Sequence, residues 1–456
     1  MSTATERRHA ARPIASAPLR HVQSQLVLGA IAAGGALVIL LWLHDTAATL
    51  HTLGDYLTGA GRILGLLAGY AVVIQVLLMA RLPWLERRIG ADRLARWHGI
   101  GGRYTVSLIV MHALLITWGY AVTAHSSLPA QAVTLLTGYP DVLMATVAAG
   151  LFVGVGITSA RAARRRMRYE TWYYLHFYTY LAIALAFAHQ FAVGAQFMAS
   201  QPARLLWIVL YGGSACLLGW YRIVVPARRA WTHRLHIHAV HREAPGIVSI
   251  VLTGQRLAEL DAQPGQFFRW RFLTRDGWWQ SHPYSLSAPP HPSYLRITVK
   301  ALGDHSQSMR FLHPGTAVIA EGPYGAFTAD RRARRRVLLL AGGIGITPLR
   351  ALFETLPARS GELTLLYRVN RIEDVVFRAE LEQIARERRA RLHYLVGPPG
   401  GPMEPLSADR LAELVPALSA HDVFVCGPPP MVTAGIAALR RCGVPTRRIH
   451  HESFDF

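Results

Sequence analysis

Lysine is all but absent from this chain. Lys300 stands alone among 48 basic residues; the rest are arginine, a bias that reflects genome composition rather than chemistry. Cysteine is almost as scarce. Cys216, Cys426 and Cys442 form no CxxC pair, so neither a disulfide framework nor a cysteine metal site is indicated. Acidic residues number only 27, which leaves a net charge of +21. Such an excess is typical of nucleic-acid binders, but here its distribution argues against that class. The stretches near 44–60, 122–140 and 190–202 hold no Lys or Arg at all. Long apolar runs are also missing after about Val225, where the sequence reads as soluble α/β protein.

The first half is the opposite. Six apolar stretches, roughly 25–43, 61–80, 100–121, 141–160, 171–192 and 203–223, approach the ~20 residues that span ~30 Å of hydrocarbon. Arginines crowd the tail before the first stretch and the loops after the second, fourth and sixth, as in Arg87, Arg88, Arg164, Arg165, Arg228 and Arg229. This alternation is the positive-inside pattern. It places both termini and the whole second half in the cytoplasm of an inner-membrane, multi-pass protein. The 24 mostly polar residues before the first span make a cleaved signal peptide unexpected.

Four histidines lie in or at the edge of these stretches. His98 and His112 are fourteen residues apart on the third, His176 and His189 thirteen apart on the fifth. Both spans run outward, so each holds one histidine near the cytoplasmic side and one about 20 Å deeper. Intramembrane ionisable groups are usually functional, and imidazole is a common haem ligand. A spacing of fourteen falls about 40° off one helix face, thirteen about 140°. The fifth helix therefore needs a local distortion, or its two haems are approached from different sides. A single such histidine is more often a hydrogen-bonded core residue; two pairs at matched depth favour metal ligation. His44, His51 and His125 fall in outer loops and read as solvated. Trp97, Trp118, Tyr120, Trp172, Tyr173 and Tyr174 fit a headgroup belt.

From about His236 the pattern changes to short strands such as IVSIVL and YLRITVK, which suit an antiparallel barrel. VLLLAGGIGITPLRAL, LTLLYRV and HDVFVCGPPP then alternate with helical segments, implying a parallel nucleotide-binding sheet. The expected organisation is a tail at 1–24, a six-helix membrane domain at 25–225, a flavin barrel at 232–330 and an α/β NAD(P) domain at 335–456. In HPYS, His282, Pro283, Tyr284 and Ser285 are flavin-binding candidates. Gly303 and Ser306 in GDHS are candidates for a pyrophosphate. An ordinary strand and an ordinary turn remain the alternatives. In GGIGITP, Gly342, Gly343 and Gly345, with Thr347 and Pro348, allow close approach of a dinucleotide phosphate to a helix start. Cys426, before Gly427, is either a buried core thiol or a neighbour of the nicotinamide. Arg368 and Arg371 follow the second sheet strand, where a 2′-phosphate would lie, which leans toward NADPH over NADH. Phe456 at the terminus either frays or stacks on the flavin.

In this order the motifs resemble the ferric reductase and NADPH oxidase superfamily, most closely its bacterial members, over roughly residues 25–456. The histidine spacings, HPYS, EGPYG (321–325), GGIGITP, CGPPP and the terminal Phe carry the likeness. The usual flavin motif of ferredoxin reductases has Arg where this chain has His282, so phosphate binding by that Arg is not available here. The resemblance implies that NAD(P)H reduces FAD, and that single electrons pass to an inner haem b (His98, His176), an outer haem b (His112, His189) and an external acceptor. Cys426 and Phe456 would act at the hydride-transfer step. The acceptor would be dioxygen, giving superoxide, or a ferric chelate. Alternatives are an electron-supply subunit for an extracytoplasmic protein or quinone, a membrane-anchored flavin reductase without haem, and, remotely, a transporter.

Overall fold

The computed structural model describes residues 17–453, apart from 140, 165, 168, 195–200, 276 and 399–405. Phe456 therefore lies outside the described residues. The chain separates into two compact units, one of Val22–Val224 and one that begins at Val225.

The first unit is helical. Its long helices are α1 (Ala17–Thr46), α2 (Leu53–Met79), α3 (Ala91–Thr123), α4 (Val142–Ser159), α5 (Tyr169–Val193) and α6 (Gln201–Gly219). The last continues through a π-helical turn at Trp220–Val224 into Val225–His233. Among the described residues five helices are long and apolar enough to cross a membrane, where the sequence reading counted six. The missing one is α5. Its 25 residues reach across hydrocarbon, but His176, His189, Gln190 and a series of tyrosines lower its hydropathy. Bulky apolar side chains such as Leu26, Leu40, Leu114 and Val209 are exposed, as lipid-facing residues of a bundle must be. Helix α2 is started by a capping box, in which Thr52 Oγ1 accepts from Asp55 N and Asp55 Oδ2 accepts from Thr52 N. It packs closely along α3 because small residues line the contact: a Cβ on Gly61 would stand 2.9 Å from the backbone nitrogen of Ile116.

The second unit opens with two three-stranded antiparallel sheets. One pairs β1 (His236–Ala244), β2 (Ile247–Thr253) and β5 (Leu295–Lys300) in the order β1-β2-β5. The other orders β4 (His282–Ser285), β3 (Phe267–Phe272) and β6 (Val318–Tyr324) as β4-β3-β6. Isolated bridges His236–Ala317 and Leu286–Ile297 tie the sheets together, in place of one continuous ring of strands. FFRWRF alternates as a half-buried strand should, sending Phe268, Trp270 and Phe272 into the core.

A five-stranded parallel sheet follows: β7 (Val337–Gly342), β8 (Leu363–Val369), β9 (Arg391–Val396), β10 (Asp422–Gly427) and β11 (Ile449–Ser453), ordered β11-β10-β7-β8-β9. Every position of β7 and β10 is buried, the mark of strands covered on both faces. Helices α7 (Ile346–Thr355), α8 (Arg378–Arg388) and α9 (Pro429–Arg441) make the crossovers. Strand order reverses between β7 and β10, and such a switch point opens a crevice at the carboxyl ends of the strands.

Candidate functional site

Along the membrane half, the structure brings the histidines together in pairs. His98 from α3 and His176 from α5 face each other with ring centroids 5.8 Å apart and planes at 66°. His112 and His189 lie on the same two helices, α3 and α5. All four rings are half-buried. Helix α5 is unbroken α-helix between its two histidines, so no local distortion absorbs the spacing of thirteen. The rings leave the helix on different sides, about 140° apart. Among the described residues no cluster of three or more His, Cys, Asp or Glu is placed to hold a bare metal ion. Pairs suit a different group, one that brings four of its own ligands to the iron. Two imidazoles on opposite sides of one metal, each about 2 Å from it, place their centroids roughly 6 Å apart. The His98–His176 pair fits that requirement. Nδ1 of His176 and of His189 are buried without a hydrogen-bond partner, and the His189 ring also bonds the Asp141 backbone.

Three contacts around these rings were not anticipated from sequence. His112 Nδ1 lies 2.7 Å from Gly61 O, and His98 Nδ1 3.3 Å from Gln75 O, both on α2. Trp172 packs on His176 with centroids 5.2 Å apart, and the Arg164 guanidinium lies 4.5 Å from the Trp172 ring centroid. Trp172 stands four residues before His176, one helical turn, so the spacing signalled that contact even though the residue also reads as a belt aromatic.

In the antiparallel region, β4 carries the HPYS residues alongside β3, with Trp270 opposite His282, Arg269 opposite Pro283, Phe268 opposite Tyr284 and Phe267 opposite Ser285. Trp270 Nε1 donates to Tyr284 O at 2.9 Å and holds the strand in place. Burial pushes the Tyr284 phenol pKa up, so it stays protonated. Ser285 is buried. Gly303 and Ser306 form a tight start to the short helix Asp304–Ser308: Ser306 Oγ accepts from Gly303 N at 2.9 Å and from Leu302 N at 2.8 Å. His305, on the same turn, stacks on His282 with centroids 3.6 Å apart and planes at 21°. Its Nδ1 meets Gln280 Oε1 at 2.7 Å, and burial, then the His282 ring, push its pKa down to about 4. HPYS and GDHS, separate in sequence, thus meet at one stacked pair.

At the switch point the two glycine turns lie side by side. A Cβ on Gly345 would stand 2.3 Å from Cys426 O and 2.6 Å from Gly427 N, so the β7 turn can touch the β10 turn only as glycine. Gly343, at φ +51°, faces open space instead. Gly342 pairs with Arg368 across β7 and β8, and Arg368 donates to Gly397 O at 3.0 Å. Arg371 is exposed, 3.8 Å from Asp374. Thr347 and Pro348 are buried in the first turn of α7, where Thr347 Oγ1 donates to Ile344 O at 3.0 Å. Cys426 is fully buried, in one core cluster with Phe424 and Ile346. Burial, and then Glu452, push its thiol pKa well up, which leaves it a protonated core side chain.

Comparisons with known proteins follow the same division. A ferric reductase like transmembrane component matches residues 64–187, an FAD-binding domain 247–328 and an oxidoreductase NAD-binding domain 339–435. The ferredoxin reductase component of 3-ketosteroid-9-alpha-monooxygenase from Mycolicibacterium smegmatis is 32% identical over 234 residues, 48% of this chain and 65% of that protein. Ferredoxin–NADP reductase B of Sorangium cellulosum is 31% identical over 190 residues, 38% of this chain and 77% of that protein. Of two further reductases, from Chromohalobacter salexigens and Mycobacterium tuberculosis, the chain spans 56% and 54%, about half their length. Among solved structures, the FAD/NAD binding domain of nitric oxide dioxygenase from Vibrio cholerae is 26% identical, covering 48% of this chain and 98% of that one, with a TM-score of 0.42.

Proposed function

Since the chain belongs to the ferric reductase and NADPH oxidase superfamily, as a membrane oxidoreductase with FAD- and NAD-binding domains of the ferredoxin-reductase type, we propose that it carries electrons across the inner membrane. The route runs from cytoplasmic NAD(P)H through FAD and two b-type haems to dioxygen or a ferric chelate on the outer face. The observation that carries this reading is the 5.8 Å pairing of His98 with His176 across two helices.

When bound, FAD turns a hydride pair into single electrons and haem iron carries them one at a time. His98 and His176 hold the inner haem, His112 and His189 the outer. Held by two imidazoles each, the haems would supply one-electron carriage rather than a site for binding the acceptor. Helix α5, with its histidines and tyrosines, is the sixth span. The functional modules are 25–225 for haem, 232–330 for FAD as a barrel and 335–456 for NAD(P), after a cytoplasmic tail at 1–24. His282, Pro283, Tyr284 and Ser285 seat the flavin, and Gly303 and Ser306 its pyrophosphate. Gly342, Gly343 and Gly345, with Thr347 and Pro348 stiffening the start of α7, receive the dinucleotide phosphates. Arg368 and Arg371 select the 2′-phosphate of NADPH. Cys426 and Gly427 form the floor beneath the nicotinamide, and Phe456 covers the flavin until nicotinamide displaces it.

A second reading has its own support. The relatives from Mycolicibacterium and Chromohalobacter are reductase components of monooxygenases, which favours an electron supply to an extracytoplasmic protein. Purified full-length protein decides the matter in two steps. Dithionite-reduced-minus-oxidised spectra are expected to show two low-spin haems, one lost in His112→Leu; a preparation coloured by flavin alone overturns the proposal. Oxygen uptake or ferric-chelate reduction without any added protein then distinguishes the first reading from the second.

A further inference from the structure

Helix α2 offers a carbonyl to each α3 histidine, but on unequal terms. The 2.7 Å separation of His112 Nδ1 from Gly61 O is a strong hydrogen bond, in which Nδ1 carries the proton and Nε2 is left bare. At His98 the carbonyl of Gln75 is 3.3 Å away. The Gln75 amide competes there: with its nitrogen toward α3 it donates to His98 O at 2.9 Å and reaches His98 Nδ1 at 2.8 Å. No single acceptor on α2 therefore commits His98 to one tautomer. The α5 rings have no Nδ1 partner at all. His112 alone among the four has its far nitrogen tied to one strong acceptor.

That contact exists because α2 lacks side chains where the ring sits. A Cβ on Gly65 would lie 2.7 Å from His112 Nδ1, 2.8 Å from Cε1 and 3.2 Å from Cγ. Gly65 is one turn after Gly61, so an acceptor and a gap for the imidazole edge occur at the same height on the same helix.

We propose that Gly61 and Gly65 are positioning residues for His112, seating its ring so that Nε2 faces the iron and becomes a stronger donor than the other three histidines. The inference rests on the reading that His112 ligates a haem. A carbonyl that accepts from Nδ1–H leaves electron density on the ring and favours ferric iron. Gly65→Ala removes the gap, pushes the ring off the Gly61 carbonyl and weakens that preference. In the full-length protein, redox titration is expected to show two retained haems, with one midpoint raised by on the order of tenfold in the ferrous-to-ferric ratio, ~59 mV for one electron. The low-spin EPR signal of that haem shifts with it. Gly99→Ala, whose Cβ meets nothing within 4 Å, leaves both midpoints in place. Two haems at unshifted midpoints in Gly65→Ala overturn the inference alone; a haem-free wild type overturns the function as well. Proton double resonance on the ferric wild type needs no variant. One strongly hydrogen-bonded, exchangeable ring N–H among the axial imidazoles is the expected result, and four alike would refute it.

Discussion

Single atoms decide much of the soluble half. Gly345 and Gly343 are two residues apart in one turn, yet a methyl group on each has opposite surroundings. On Gly345 it meets backbone atoms of β10 at 2.3–2.6 Å, which cannot move without breaking the sheet. Gly345→Ala should cost about 2–3 kcal/mol of stability, the range for overpacking a rigid core. On Gly343 the methyl meets nothing, and only the positive φ is penalised, by ~1 kcal/mol. Gly343→Ala should therefore fold well and lose chiefly nucleotide affinity, readable as a raised KM for NAD(P)H with little change in melting temperature. A second residue-scale effect concerns acidity. His305 is held neutral to about pH 4 when folded, because burial and the His282 ring oppose its charge, whereas in the unfolded chain it protonates near 6.5. The unfolded state thus binds more protons between those values, and stability conferred by this site is full above 6.5 and declines as pH falls toward 4. Thermal melts at pH 7.5 and 5 should show a larger loss for wild type than for His305→Gln; equal losses would contradict the assignment.

Elements bring together what sequence kept apart. The strand–glycine turn–helix units were legible because their signals are local: an all-apolar β7, three glycines, then a helix start. The histidine pairs were legible because period and depth follow from a helix's rise. The stack of His282 on His305 and the seat of His112 on α2 were not. Both depend on register between segments 23 and 51 residues apart, and nothing in Gly61 or Gly65 by itself marks a histidine neighbour. The sixth span is hard to read for a related reason: the histidines and tyrosines of α5 lower its hydropathy. Contacts between the flavin and nicotinamide regions were equally hidden. Arg296 on β5 grips Glu380 on α8 through two 2.9 Å bonds, and Arg350 on α7 reaches the same carboxylate at 2.7–2.8 Å. Glu380→Gln leaves two guanidinium groups facing a neutral amide. The loss should be about 1–2 kcal/mol, less than for a wholly buried pair, because the Glu380 side chain is 35% exposed. Because the clamp joins the two regions, the rate of flavin reduction by NAD(P)H in stopped flow should fall while flavin content stays constant.

At the scale of the whole molecule, the argument turns on whether the helical half conducts or merely anchors. Charge distribution, six apolar stretches and the change of period at about His236 set out this division in the sequence, since each is a property of long averages. What averages cannot encode is the acceptor: among the described residues no cluster is placed to hold a metal ion. Topology nonetheless permits a test that does not depend on the acceptor's identity. In vesicles carrying the protein with its NAD(P) domain outward, NADPH added outside and an impermeant ferric chelate trapped within are separated by ~30 Å of hydrocarbon, too far for the flavin to serve the chelate directly. Wild type should reduce the trapped chelate. His98→Leu and His112→Leu should each abolish that reaction, because loss of either haem opens a gap in a series path, yet both should still reduce a dye added on the NADPH side. If trapped-chelate reduction survives both substitutions, the histidines are core residues and the electrons take another way; if wild type itself never reduces it, the helices are an anchor for a flavin reductase.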